Sequence, residues 1–364
     1  MKKLALSVCI AASVAAPLTF ADDDLRINGF LSVGASMADS DDAHFTGSDN
    51  QGGFKNDNVL GLQVSKQIND TTSATGQLVS RGADDYSTEA AWAFVTYAAS
   101  DDLDLRMGRL RVPFFYYSDF LEVGYAYNWV RPPEEVYRIP FSSVDGIDLT
   151  QRFSSGEVDG SVQIYYGRYD GDLNYEGVTY DADFRNFTGI TLNTNMGNFG
   201  SRLSYHQAEL IIANPPTGSP LAGIATFGSD FQMTGQTTTF LEAALTYDNG
   251  TSSLVAEWTQ LDYGTAAFLD DSAWLVAYAH RLGDISLHAT YSEQKDEYES
   301  GANGAIQKAV GLGVEESSII LGMRWDYDSS TALKFEAQYN DETMYAGVDG
   351  DSAMLYSIAV DVIF

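Results

Sequence analysis

Tyr356-Ser357-Ile358-Ala359-Val360-Asp361-Val362-Ile363-Phe364 closes the chain, and its alternation decides the fold. Tyr356, Ile358, Val360, Val362 and Phe364 take every second position, so in a strand they share one face. Ser357, Ala359, Asp361 and Ile363 make the other face a mixed one. A face that is apolar throughout and ends in an aromatic suits a strand with lipid outside and water or packed side chains inside. A half-buried strand of a soluble sandwich alternates in the same way, so the rest of the chain has to discriminate.

The other terminus sets the compartment. Lys2 and Lys3 precede a short apolar run, Leu4 to Ala16, and Thr19-Phe20-Ala21 has the small-x-small form of a cleavage site. Together they predict a secretory signal peptide over residues 1–21, too short for a membrane span, with the folded domain over 22–364. Cys9 lies in the apolar run, and Val8 before it does not suit lipoprotein processing. Residues 22–364 hold no cysteine, which excludes disulfides, thiol chemistry and cysteine metal sites.

A formal net charge of −31 with no basic patch argues against nucleic acid as a partner. Hydrophobic residues are 45% of the chain and aromatics 13%, so the charge does not signal disorder. After the signal no apolar run approaches the about 20 residues of a membrane helix. An exported chain rich in Tyr, Gly and Asp and lacking such a helix fits a transmembrane barrel, with a soluble exported enzyme as the competing class.

The repeat is one of pattern. Leu25, Ile27, Gly29, Leu31, Val33, Ala35 and Met37 form one face of the first strand, with Arg26, Asn28, Ser32 and Ser36 on the other. Tight turns rich in Gly, Asn, Asp or Ser fall at Asn69-Asp70, Asp101-Asp102, 154–156, 196–198, 248–250, 282–284 and 328–330. Long polar connections fall at 39–57, 168–185, 208–235, 262–271, 293–315 and 340–351. The count is about sixteen strands, about eight long loops and about seven short turns. Regular alternation of long and short connections predicts an all-β fold: a closed antiparallel transmembrane barrel with short periplasmic turns and long extracellular loops. Tyr97, Tyr247, Tyr327 and Tyr339 near strand ends suit aromatic girdles, although strand propensity alone also favours tyrosine.

One connection breaks the pattern. Arg111 to Ser143 reads RVPFFYYSDFLEVGYAYNWVRPPEEVYRIPFSS. Phe114, Phe115, Tyr116, Tyr117, Phe120, Tyr125, Tyr127 and Trp129 carry too much apolar area to be left in water. The segment is expected to fold into the barrel lumen and narrow it.

At this point the chain resembles the sixteen-stranded trimeric porins of Gram-negative outer membranes. The long segment after the fifth strand is similar in position to their constriction loop. Ala91-Trp-Ala-Phe-Val-Thr-Tyr-Ala98 with Arg106-Met-Gly108-Arg109 is similar to their fourth-to-fifth-strand hairpin, and Tyr137-Arg138 before Val144-Asp145-Gly146 to the start of their sixth strand. Phe364 matches their assembly signal. The resemblance implies an outer-membrane channel for passive diffusion of small hydrophilic solutes and ions. It implies a constriction with acidic loop residues, Asp119 and Glu122, facing basic wall residues, Arg81, Arg106 and Arg138. It also implies a homotrimer, handling by the barrel assembly machinery, and contact with outer-membrane lipid and lipopolysaccharide. Small outer positions such as Gly29, Ala35, Ala91 and Ala93 allow close approach between copies. Glu89 departs from the family: enteric porins have another wall arginine near there, which puts anion tolerance in doubt.

No enzyme is expected. His44, His206, His280 and His288 are scattered and lack metal-ligand spacing, no Ser/His or Asp/His constellation is evident, and no cofactor or metal is implied. The acidic balance predicts a weak preference for cations. Two other readings remain open: a substrate-selective channel whose loop aromatics hold a ligand, and a structural barrel without significant flux.

Overall fold

A computed structural model describes residues 25–40, 48–175, 178–311, 313–344 and 348–364. The expected signal segment and His44 lie outside the described residues. Sixteen strands follow one another: β1 (Leu25–Ala38), β2 (Val59–Asn69), β3 (Thr72–Arg81), β4 (Thr88–Ser100), β5 (Leu103–Arg111), β6 (Ser143–Ser155), β7 (Val158–Tyr175), β8 (Val178–Met196), β9 (Phe199–Ile211), β10 (Thr234–Asp248), β11 (Ser252–Asp262), β12 (Asp270–Leu282), β13 (Ile285–Glu297), β14 (Val314–Asp326), β15 (Thr331–Met344) and β16 (Val348–Ile363). Among the described residues two short α-helices, α1 (Pro220–Ile224) and α2 (Gly301–Ala309), lie in long connections.

Each strand pairs antiparallel with its sequence neighbours, and β1 pairs with β16, so the barrel is closed. Closure gives every strand a partner on both sides, the condition for strands to cross lipid. Side-chain parity sorts the two faces. On β14, Ile319 and Leu321 point outward, 48% and 58% exposed, while Ser318 and Ile320, which alternate with them, are each 1% exposed. On β16, Tyr356, Ile358 and Val360 are exposed, as is Phe364 just after it, whereas Leu355, Ser357, Ala359, Asp361 and Ile363 are buried inward. No helix among the described residues is long and apolar enough to cross a membrane.

The tight turns stand where the alternation placed them, but two long connections do not. Over 168–185, β7 and β8 continue to Tyr175 and Val178, and over 340–351 β15 and β16 continue to Met344 and Val348. A strand that has left the lipid needs no apolar face, so polar residues there do not end it. Ala91 is a second correction. A β-bulge between Gln77 and Leu78 on the partner strand leaves Ala91 as the extra residue of β4. One extra residue reverses parity locally. Ala91 is therefore buried with Phe30, Val79 and Ile363 rather than set on the outer face.

Candidate functional site

The site is the lumen, and the chain between β5 and β6 runs through it. Gly108 (φ +137°) has no room for a Cβ, which would stand 2.1 Å from the carbonyl oxygen of Ala93, so β5 lies close against β4. Val112, Phe114 and Phe115 are then buried at once. Phe114 packs against Phe141, Phe187, His206 and Phe240, at centroid distances of 5.2 to 5.9 Å. Phe115 packs on Tyr137 and Phe240. Tyr117 meets Tyr116, Phe120, Tyr127 and Trp129 edge-on. Tyr125 packs near Phe30, Val79 and Ile363, and Trp129 Nε1 donates to Thr290 Oγ1 at 2.9 Å. The aromatics are thus absorbed by the wall and by each other, which is how so much apolar area escapes water.

Polar contacts trace the path of the segment round the lumen. Arg202 of β9 donates to the carbonyl of Pro113, and Glu257 of β11 accepts from the Tyr116 amide at 2.8 Å and from the Tyr137 hydroxyl. Arg131 donates to Asp57 at 2.8 Å and to Ser357 of β16 at 3.0 Å. Ser292 of β13 donates to Glu135 at 2.9 Å. The segment therefore touches walls far apart in sequence and fills much of the barrel on the β9–β16 side. Inward residues there, such as Thr259, Ser292, Gln294, Ser318 and Gln338, are buried, whereas Gln63, Ser65, Thr75, Thr96 and Gln163 on β2 to β7 stay part-exposed.

Two of the acidic and basic candidates meet. Arg81 of β3 grips Glu122 with Nε at 3.0 Å and Nη2 at 2.5 Å, while its Nη1 donates to Glu89 at 2.5 Å. Arg111, buried, stands 3.6 Å from the same Glu122 carboxylate. Burial alone would raise the Glu122 carboxyl, but the Arg81 and Arg111 guanidiniums outweigh it and hold it below the ordinary value of 4.5. Arg106 faces inward but pairs with Asp148 of β6, its Nη2 2.5 Å from Oδ2, and lies over the Phe94 ring at 5.2 Å. Asp119 is exposed, makes no ion pair among the described residues, and stands close enough to Arg106 and Arg111 for the charges to act on one another. Arg138 is elsewhere: it pairs with Asp271 of β12 at 3.0 Å and Asp296 of β13 at 3.4 Å. Phe364 is on the outer surface, its ring over Gly29.

Sequence reasoning missed the wall residues that hold the segment: Arg202, Glu257, Arg324, Lys334 and Asp361. Their signal was a charge at an inward position of an otherwise small or neutral strand face. Among the described residues no group of three or more His, Cys, Asp or Glu is placed to hold a metal.

The sequence matches no protein-family model and no curated protein. The structure matches solved ones over nearly its whole length. The outer membrane channel DcaP of Acinetobacter baumannii superposes with a TM-score of 0.62 at 11% identity, covering 94% of this chain and 97% of that one. In-vitro folded OmpT, an outer membrane protein of Vibrio cholerae, gives 0.60 at 13%, covering 96% and 100%, and has also been solved in a trimer form. The anion-selective porin from Comamonas acidovorans gives 0.59 at 14%, covering 94% and 99%. Identities this low speak for the fold, and the fold is that of the sixteen-stranded outer-membrane porins.

Proposed function

We propose that this chain is an outer-membrane channel for passive diffusion of small hydrophilic solutes and ions, with residues 111–143 as its constriction. The observation that carries this reading is the placement of the segment: it lies inside a closed, lipid-compatible barrel and brings Glu122 and Asp119 to the Arg81, Arg106 and Arg111 side. Nothing in that arrangement activates a nucleophile. The reading also takes the chain to be exported through a cleaved signal, to work as a homotrimer, as OmpT of Vibrio cholerae has been solved in a trimer form, and to have no enzymatic activity.

The preferred ion follows from which charges are neutralised. Arg81, Arg106, Arg111, Arg138 and Arg202 each face at least one carboxylate. Asp119 is exposed and makes no ion pair among the described residues, and Glu134 is exposed too. A narrow, low-dielectric passage amplifies such an excess, so we assign a weak cation preference, unlike the anion-selective porin of similar fold. Because the loop aromatics are engaged in packing, a stacked-ring ligand site is the less favoured reading.

Planar-bilayer recording under a salt gradient tests both points. The expected result is steady unit conductance with a reversal potential of cationic sign. An anionic sign would overturn the charge assignment, and lack of any current from folded protein would overturn the channel itself.

A further inference from the structure

The stretch 124–129 is held against the β14–β16 wall by its backbone. Lys334 Nζ of β15 donates to the carbonyl of Gly124 at 2.6 Å and to that of Trp129 at 2.5 Å, and pairs with Asp361 of β16 at 2.8 Å. Arg324 Nη1 of β14 donates to the carbonyls of Tyr125 at 2.7 Å and Tyr127 at 2.9 Å. Four carbonyls of one short stretch therefore converge on two cations. The rings of Tyr125 and Tyr127 lie over the same cations, each 4.7 Å from centroid to charge. Lys334 is 0% exposed.

Gly124 shows how close the approach is. A Cβ there would stand 2.3 Å from Asp361 Oδ1 and 2.6 Å from Ser32 Oγ. Its φ is not in the positive region, so the constraint is space rather than backbone conformation. Irregular backbone buried away from water must find donors. Here the donors are charged, which makes the bonds roughly twice as strong as neutral ones. Glu122 and Asp119 lie only a few residues upstream, on the side of the segment that faces β3 and β5. Where the 124–129 carbonyls are fixed, those carboxylates are fixed too.

We propose that Lys334 and Arg324 are positioning residues that set the aperture of the channel, by clamping the loop backbone to the β14–β16 wall, four to five strands round the barrel from the Glu122–Arg81 contact on β3. The functional part rests on the channel reading above. Neither residue touches the passing solute.

The test uses full-length protein refolded into detergent and bilayers, with folding checked by heat-modifiable migration. Arg324→Met removes two donors, Arg324→Lys keeps a cation as the conservative rescue, and Gly124→Ala wedges the stretch off the wall with every charge left in place. For Arg324→Met and Gly124→Ala we expect unit conductance to change at least twofold, with new interconverting levels, and amide exchange over 118–130 to accelerate at least tenfold. Arg324→Lys should stay near the unaltered protein in both. Should Arg324→Met fail to fold, Gly124→Ala carries the test. Unchanged conductance or unchanged amide protection in the folded variants overturns the proposal. Absence of current from the unaltered protein would instead overturn the channel reading, and the exchange data would still decide whether the clamp exists.

Discussion

The ring of Phe364 occupies the space over Gly29 that any other residue's Cβ would need, 2.4 Å away, while the two backbones bond in both directions, Phe364 N–H to Gly29 O at 2.9 Å and Gly29 N–H to Phe364 O at 2.6 Å. The two ends of the barrel wall are thus pinned by one fitted pair. Gly29→Val should lower stability to urea by about 1–3 kcal/mol through overpacking. Adding Phe364→Ala should recover part of that loss, because the two changes share one space. Additive losses in the double variant would show that the fit is immaterial.

Glu122 links acid to loop order. Its carboxyl lies below 4.5 in the folded protein, so the group contributes stability that is complete above that value and is lost as pH falls through the lowered folded value. The loop should stay anchored in mild acid and loosen only in stronger acid. Conductance noise recorded from pH 7 downward should therefore be flat at first and rise late. Glu122→Gln should abolish the transition and cost about 1–3 kcal/mol through its lost charged hydrogen bonds. A transition centred above 4.5 would contradict the assignment.

Leu321 stands in the middle of β14 and points away from the lumen. Leu321→Arg should destabilise the protein in a bilayer by about 2–4 kcal/mol, the cost of a cation in hydrocarbon near the midplane. Leu321→Phe should be close to neutral. Equal tolerance of both, by equilibrium unfolding in lipid vesicles, would argue that this face does not meet lipid.

Phe114 is 3% exposed and contacts the rings of Phe115, Phe141, Phe187, Phe240 and His206. Phe114→Ala should cost about 3–5 kcal/mol through the cavity it leaves. The barrel should survive, and protease sensitivity near the start of the segment should increase. An unchanged digestion pattern and unfolding midpoint would mean that the ring is not packed in the lumen.

The wall was legible because period-two alternation runs through the spanning strands, and Arg81 and Arg106, which the resemblance sets on the wall, stand on its non-lipid parity. What parity could not carry was the path of the 111–143 segment. Its aromatics announced that it must be buried, but the partners that hold it, Lys334, Arg324 and Glu257, come from strands far along the chain. The resemblance to porins sets Arg138 on the basic wall facing Asp119 and Glu122, whereas it belongs to the segment itself, which returns across the lumen and delivers it to Asp271. Asp170, Asp172, Asp181 and Asp183 suggested a loop because strands are expected to alternate with apolar residues, and beyond the lipid they need not.

β7 has 18 residues, at about 3.3 Å each. With a tilt of about 40° it climbs about 45 Å against an apolar band about 25 Å tall. One sector of the cylinder therefore stands well proud of its neighbours, like the raised lip of a jug. An antibody, phage fibre or toxin approaching from the long-loop end is expected to meet this ribbon before it reaches the opening.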